Sequence, residues 1–197
     1  MPEPILGPIP SKVEVLVVGI NPGYGPTEEI PTLSSSLQEY VAWYQTRMDR
    51  RNEGGSPISL YAGEPGIVRH YVTVERDYLT TVLGERALGS SAVYADAIPW
   101  KWNREWAPVL KDPQIGLEAR ARIGLVASIL QPNLLLVLGG EPAKQLGTPL
   151  PSDEPRFTNV NVGEWHGTCL PVWHPNKHWL ITGEKRAYLD RVHMVMQ

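Results

Sequence analysis

Cysteine is almost missing from this chain: Cys169 is the only one among 197 residues. A single thiol excludes an intrachain disulfide and any all-cysteine metal or iron–sulfur site held by one chain. That usage fits a reducing, cytoplasmic compartment. Phenylalanine is equally scarce, with one residue, while tryptophan reaches seven. Apolar bulk therefore falls to Trp, Leu and Val. Trp100, Trp102 and Trp106 crowd one segment and Trp165, Trp173 and Trp179 another, and most of them read as packing residues. No apolar run approaches the roughly 18–20 residues that span a bilayer, so no membrane partner is expected. The opening MPEPILGPIP lacks the basic start and apolar stretch of a signal peptide. Basic excess is absent too. The formal net charge is −3, whereas proteins that grip nucleic acid through phosphates are usually basic. Any nucleic-acid face must then be local.

Two cofactor signatures are also missing. Gly-x-Gly-x-x-Gly does not occur, and neither does a Gly-Lys-Ser/Thr phosphate loop. The histidines His70, His166, His178 and His193 show no metal-ligand spacing. Neither a metal nor another cofactor is expected.

Hydrophobic residues make up 42% and charged residues 20%, an ordinary globular balance. The length suits one domain over 1–197, and no repeat or linker divides it. Four apolar runs, Val13–Val18, Ala92–Ile98, Leu134–Leu138 and Thr168–Val172, read as strands covered on both faces. Helical stretches are expected at Ser34–Arg51, Val74–Leu88, Leu117–Leu130, Glu141–Leu146 and Glu184–Met196. Residues 52–73, 99–116 and 147–160 read as loops. Strand–helix alternation predicts an α/β fold around a parallel sheet. Right-handed crossovers would put the strand C-termini along one edge, where open α/β sheets bind ligands.

The residues just after each strand therefore carry the chemistry. After the first comes Gly19-Ile20-Asn21-Pro22-Gly23-Tyr24-Gly25-Pro26, a rigid turn whose backbone can approach a ligand closely. The Asn21 amide offers a donor and an acceptor, for a water, a base edge or its own turn. After the second lies Asp96, able to accept from a ligand or to hold a neighbouring loop. After the third, Gly139-Gly140-Glu141-Pro142 opens a helix, either a plain turn or a phosphate seat. After the fourth stands His174, followed by Pro175. It is either a capped core histidine or a donor to a developing oxyanion.

Together these segments resemble the uracil-DNA glycosylase superfamily. VEVLVVGINPG is similar to the first motif of its mismatch-specific and single-strand-selective branches. His174-Pro175-Asn176 resembles the second motif, His-Pro-Ser. QPNLLLVLGGEPAKQL resembles the strand-turn-helix between them. The likeness runs from residue 13 to about 180, and having both Asn21 and His174 looks most like the single-strand-selective branch. The iron–sulfur branches need four cysteines and are excluded.

The resemblance implies a three-layer α/β/α sandwich around a four-stranded parallel sheet. It implies a monofunctional DNA N-glycosylase that releases uracil or another deaminated base flipped from DNA. Asn21 would position the attacking water and His174 would stabilise charge on the leaving base. Gly19, Ile20, Pro22, Gly23, Tyr24, Asp96 and Asn176 would line the base pocket. Tyr24 or Tyr61 would stack on the base. Lys101, Arg104, Lys177 and Trp179 would meet single- or double-stranded DNA.

Three departures stand out. Asp96 occupies the place of the uracil-reading Asn, and an ionised carboxylate accepts but cannot donate. Asn176 replaces Ser. Lys177 and His178 replace the Pro and apolar wedge, with Trp179 one residue on. These departures leave open a catalytically inactive module binding nucleic acid or a free nucleotide, or a hydrolase of a small nucleoside or nucleotide.

Overall fold

The computed structural model describes residues 12–20, 82, 92–98, 111–174 and 184–196. Strands β1 (Val15–Gly19) and β2 (Ala92–Asp96) precede helix α1 (Pro113–Leu130). Then follow β3 (Leu134–Leu138), α2 (Gly140–Leu146), β4 (Thr158–Val162), β5 (Trp165–Val172) and α3 (Glu184–Met196). The fold is mixed α/β, with the described strands in the order β2-β1-β3-β5-β4.

The four runs read as strands pair in parallel: β1 with β2 and with β3, and β3 with β5. The expectation of a purely parallel, four-stranded sheet is corrected by a fifth strand among the described residues. β4 pairs antiparallel with β5 at the edge, inside a stretch read as loop up to residue 160. Its pattern explains both its formation and its disguise. Val160 and Val162 are buried, while Asn159 and Asn161 are exposed, the alternation of a strand with one face on the core. Gly163-Glu164 closes the hairpin, with Gly163 at φ 57°, a conformation that favours glycine in a tight strand reversal.

Side-chain alternation divides the core. Leu16, Val18, Leu135 and Val137 join Ala119, Ile123, Val126 and Ala127 of α1 and Ala143 and Leu146 of α2. Val15, Val17, Leu134, Leu136 and Leu138 join Tyr188, Leu189 and Val192 of α3. The buried α1 positions recur at the 3.6-residue period of a half-buried helix. α1 begins at Pro113, four residues before the expected Leu117. The Asp112 carboxylate accepts from the Gln114 N–H at 2.9 Å, and Pro113 presets the first helical φ. Gln131 ends the helix at φ 49°, with Pro132 next. Within the expected Val74–Leu88 helix only Val82 is described, in helix and buried. The expected Ser34–Arg51 helix lies outside the described residues.

Gly124 sets how closely α1 meets the sheet edge. A β-carbon there would overlap the Val162 carbonyl and lie 3.0 Å from the Gly163 α-carbon. Alanine normally gains about 1 kcal/mol over glycine inside a helix. Here the obstacle is backbone and cannot rotate away, so overpacking, typically costing 1–3 kcal/mol, prevails. Gly124→Ala should destabilise the protein and lower its melting temperature by roughly 2–10 °C. A thermal melt showing stabilisation would contradict this close approach.

Among the described residues no helix is long and apolar enough to cross a membrane.

Candidate functional site

The carboxyl ends of β1, β2, β3 and β5 form one edge. Gly19 stands in register with Asp96. The Ala97 N–H donates to the Gly19 carbonyl at 2.9 Å, and the Ile98 N–H donates to the Ile20 carbonyl at 2.8 Å. The β1 and β2 exits thus remain coupled past the last strand residue. Leu138 stands beside Val172, and the Gly139 N–H donates to the Val172 carbonyl at 2.7 Å. The chain runs from β1 outward to β2, then crosses to β3 on the other side of β1. Open α/β sheets bind ligands in a crevice at such a switch in strand order, and here Gly19 and Gly139 stand on either side of it.

His174 lies against Gly139. A β-carbon on Gly139 would stand 3.1 Å from the His174 Cβ and 3.9 Å from its Cδ2. Gly139 also has φ 104°, which side chains rarely adopt. The glycine is thus required by its backbone and by the imidazole beside it. Burial lowers the His174 pKa from 6.5 to about 4, because a desolvated imidazolium loses hydration. At neutral pH the ring is uncharged, one nitrogen a donor and the other an acceptor.

Asp96 is 1% exposed. Its negative charge acts on Arg122 of α1: burial lowers that guanidinium to about 10, and Asp96 opposes the shift. The carboxylate is therefore a countercharge for a buried cation, whatever else it meets. Arg122 lies on a helix, so this charge is separate from the two roles, accepting from a ligand or holding a neighbouring loop, that its position suggested.

Around His174 the backbone is held by residues with no local sequence signature. The Trp173 N–H donates to the Tyr188 hydroxyl at 2.9 Å, and its indole N–H donates to an Asp153 carboxylate oxygen at 3.0 Å. Cys169 is buried, its thiol pushed up to about 12 by desolvation, so it is not a nucleophile.

Of the expected site residues, the structure describes Gly19, Ile20, Asp96 and His174, all at this edge. Asn21, Pro22, Gly23, Tyr24, Tyr61, Lys101, Arg104, Asn176, Lys177 and Trp179 lie outside the described residues. Among the described residues no group of three or more His, Cys, Asp or Glu side chains is arranged to hold a metal ion. In comparisons with known proteins, no family model matches the chain, and no curated protein is significantly similar to it.

Proposed function

We propose that this protein is a monofunctional DNA N-glycosylase that hydrolyses the bond between deoxyribose and uracil or another deaminated base. The observation carrying this reading is the seating of His174 against Gly139, on the same sheet edge as the β1 exit that leads into Asn21. The motif order and the switch in strand order support it. On this reading the fold completes as a three-layer α/β/α sandwich, supported by α1 and α2 on one sheet face and α3 on the other.

The target nucleotide is flipped into the crevice. Asn21 holds a water against the sugar carbon. As the glycosidic bond breaks, its electron pair stays on the base. His174 donates a hydrogen bond to the oxygen where that charge collects. The water oxygen bonds to the sugar carbon and its proton passes to solvent. Lys101, Arg104 and Lys177 would supply the contacts to the phosphates, and Trp179 the contact to the bases.

The test is a panel of oligonucleotides, single- and double-stranded, each with one uracil, hypoxanthine or xanthine. Release of one of these bases is expected. Binding should weaken with salt: three phosphate contacts give a log–log slope of about −2.7, or roughly fortyfold between 50 and 200 mM. Absence of base release from every oligonucleotide would sink the glycosylase reading.

A second reading is a catalytically inactive nucleotide-binding module of the same fold. Asp96 favours it, because a buried carboxylate near Arg122 stands where the resembled family has an amide. Salt-insensitive binding of a free nucleotide without cleavage would support it. Cleavage of a free nucleoside or nucleotide with DNA untouched would mark a small-substrate hydrolase instead.

A further inference from the structure

We propose that a closed ring of contacts among Trp173, Asp153, Arg191 and Tyr188 positions His174, with the Tyr188 hydroxyl as its anchor. This rests on the catalytic role assigned above to His174. β5 ends at Val172, so His174 stands two residues past the last strand residue. A side chain there inherits the freedom of two further backbone units unless something holds them.

Four contacts from three segments do so. The Trp173 N–H has left the strand ladder and donates to the Tyr188 hydroxyl at 2.9 Å. Tyr188 is fully buried on α3, within the core cluster that contains Val17, Leu170 and Val172, so this acceptor is fixed from the core. The Trp173 indole donates to Asp153 at 3.0 Å, 20 residues earlier. The Arg191 Nε–H donates to the Asp153 carbonyl at 2.8 Å. The Arg191 guanidinium lies 5.8 Å from the centre of the Tyr188 ring, a cation–π distance, and closes the circuit. On the other side, the Gly139 N–H holds the Val172 carbonyl, and Gly139 itself meets the His174 Cβ. The exit of β5 is thus clamped between the β3–α2 turn and the ring. None of the four residues is required to touch substrate; they set where the imidazole stands.

The test is Tyr188→Phe, which keeps the aromatic ring in the core and removes the hydroxyl. Base release should fall about ten- to a hundredfold, the range for a slightly misplaced catalytic group, with KM unchanged. In a His174→Ala background the same substitution should cost nothing further, because there is no imidazole left to misplace. A readout independent of activity is the His174 ring titration followed by NMR. It should move upward from about 4 toward the ordinary histidine range as the ring gains solvent. Asp153→Ala, in an exposed loop, opens the ring from its other side and should shift the titration the same way even if Tyr188→Phe does not fold. Equal slowing with and without His174, or an unchanged titration in both variants, overturns the proposal. If wild-type protein releases no base, the glycosylase reading falls, and the titration alone decides whether the ring positions His174.

Discussion

His174→Ala is expected to slow base release by about 10²–10³ while leaving oligonucleotide binding nearly intact, the usual cost of removing one oxyanion-type donor. The asymmetry follows from where the charge lies. In the bound ground state the base is neutral, and a hydrogen bond from His174 to its oxygen is an ordinary one. In the transition state the base carries the electron pair of the breaking bond, and the same donor meets an anion in a desolvated site. Burial keeps the ring neutral at physiological pH, so on the proposed mechanism it would act by donating a hydrogen bond and not by giving up a proton. The rate should accordingly lack a break near pH 6.5, where an exposed histidine would titrate. Asn21→Ala should slow the reaction comparably by releasing the positioned water. Single-turnover assays on a uracil-containing oligonucleotide, paired with binding to a non-hydrolysable analogue, measure both terms. Equal loss of binding and rate would assign His174 to ground-state affinity instead.

The parallel strands were legible because burial on both faces forces uninterrupted apolar runs. VLVV and LLLVL admit few other readings, and Leu134–Leu138 matches its expected bounds. β4 forms no such run, because only Val160 and Val162 of its five residues are buried. Its alternation, followed by Gly163-Glu164 and Trp165, is nevertheless a hairpin signal. The early start of α1 was also written locally, in Asp112-Pro113. At the site, His174 could be found because an apolar run leads to it and a proline follows. Its neutrality could not, because that depends on burial beside Gly139, 35 positions away. The same holds for Arg122, whose partner in charge lies on a different element. Tyr188, Asp153 and Arg191 carry no motif; their partners are 15, 20 and 38 residues distant. Motif reading finds groups presented at strand ends. It does not find what holds them, which is a property of long-range packing.

The burial of His174 also makes stability depend on pH in a window that its replacement should remove. Its pKa is about 4 in the folded protein against 6.5 for an unhindered histidine. Between those values the unfolded chain binds more protons than the folded one, so stability rises with pH. The contribution is complete above pH 6.5 and is lost as pH falls toward 4. At about 1.4 kcal/mol per pH unit, the loss is bounded near 3 kcal/mol. Carboxylates titrate toward the acid end of the same range, but a comparison with His174→Gln cancels them, since the variant retains every other ionisable group. Urea unfolding at intervals from pH 7.5 to pH 4.5 should show the wild-type stability falling more steeply than that of the variant. His70, His166, His178 and His193 are present in both proteins and cannot produce the difference. Parallel curves would mean that His174 is protonated in the folded state near its ordinary pH. It would then be an imidazolium below neutrality, and the neutral-donor mechanism would have to give way to proton transfer.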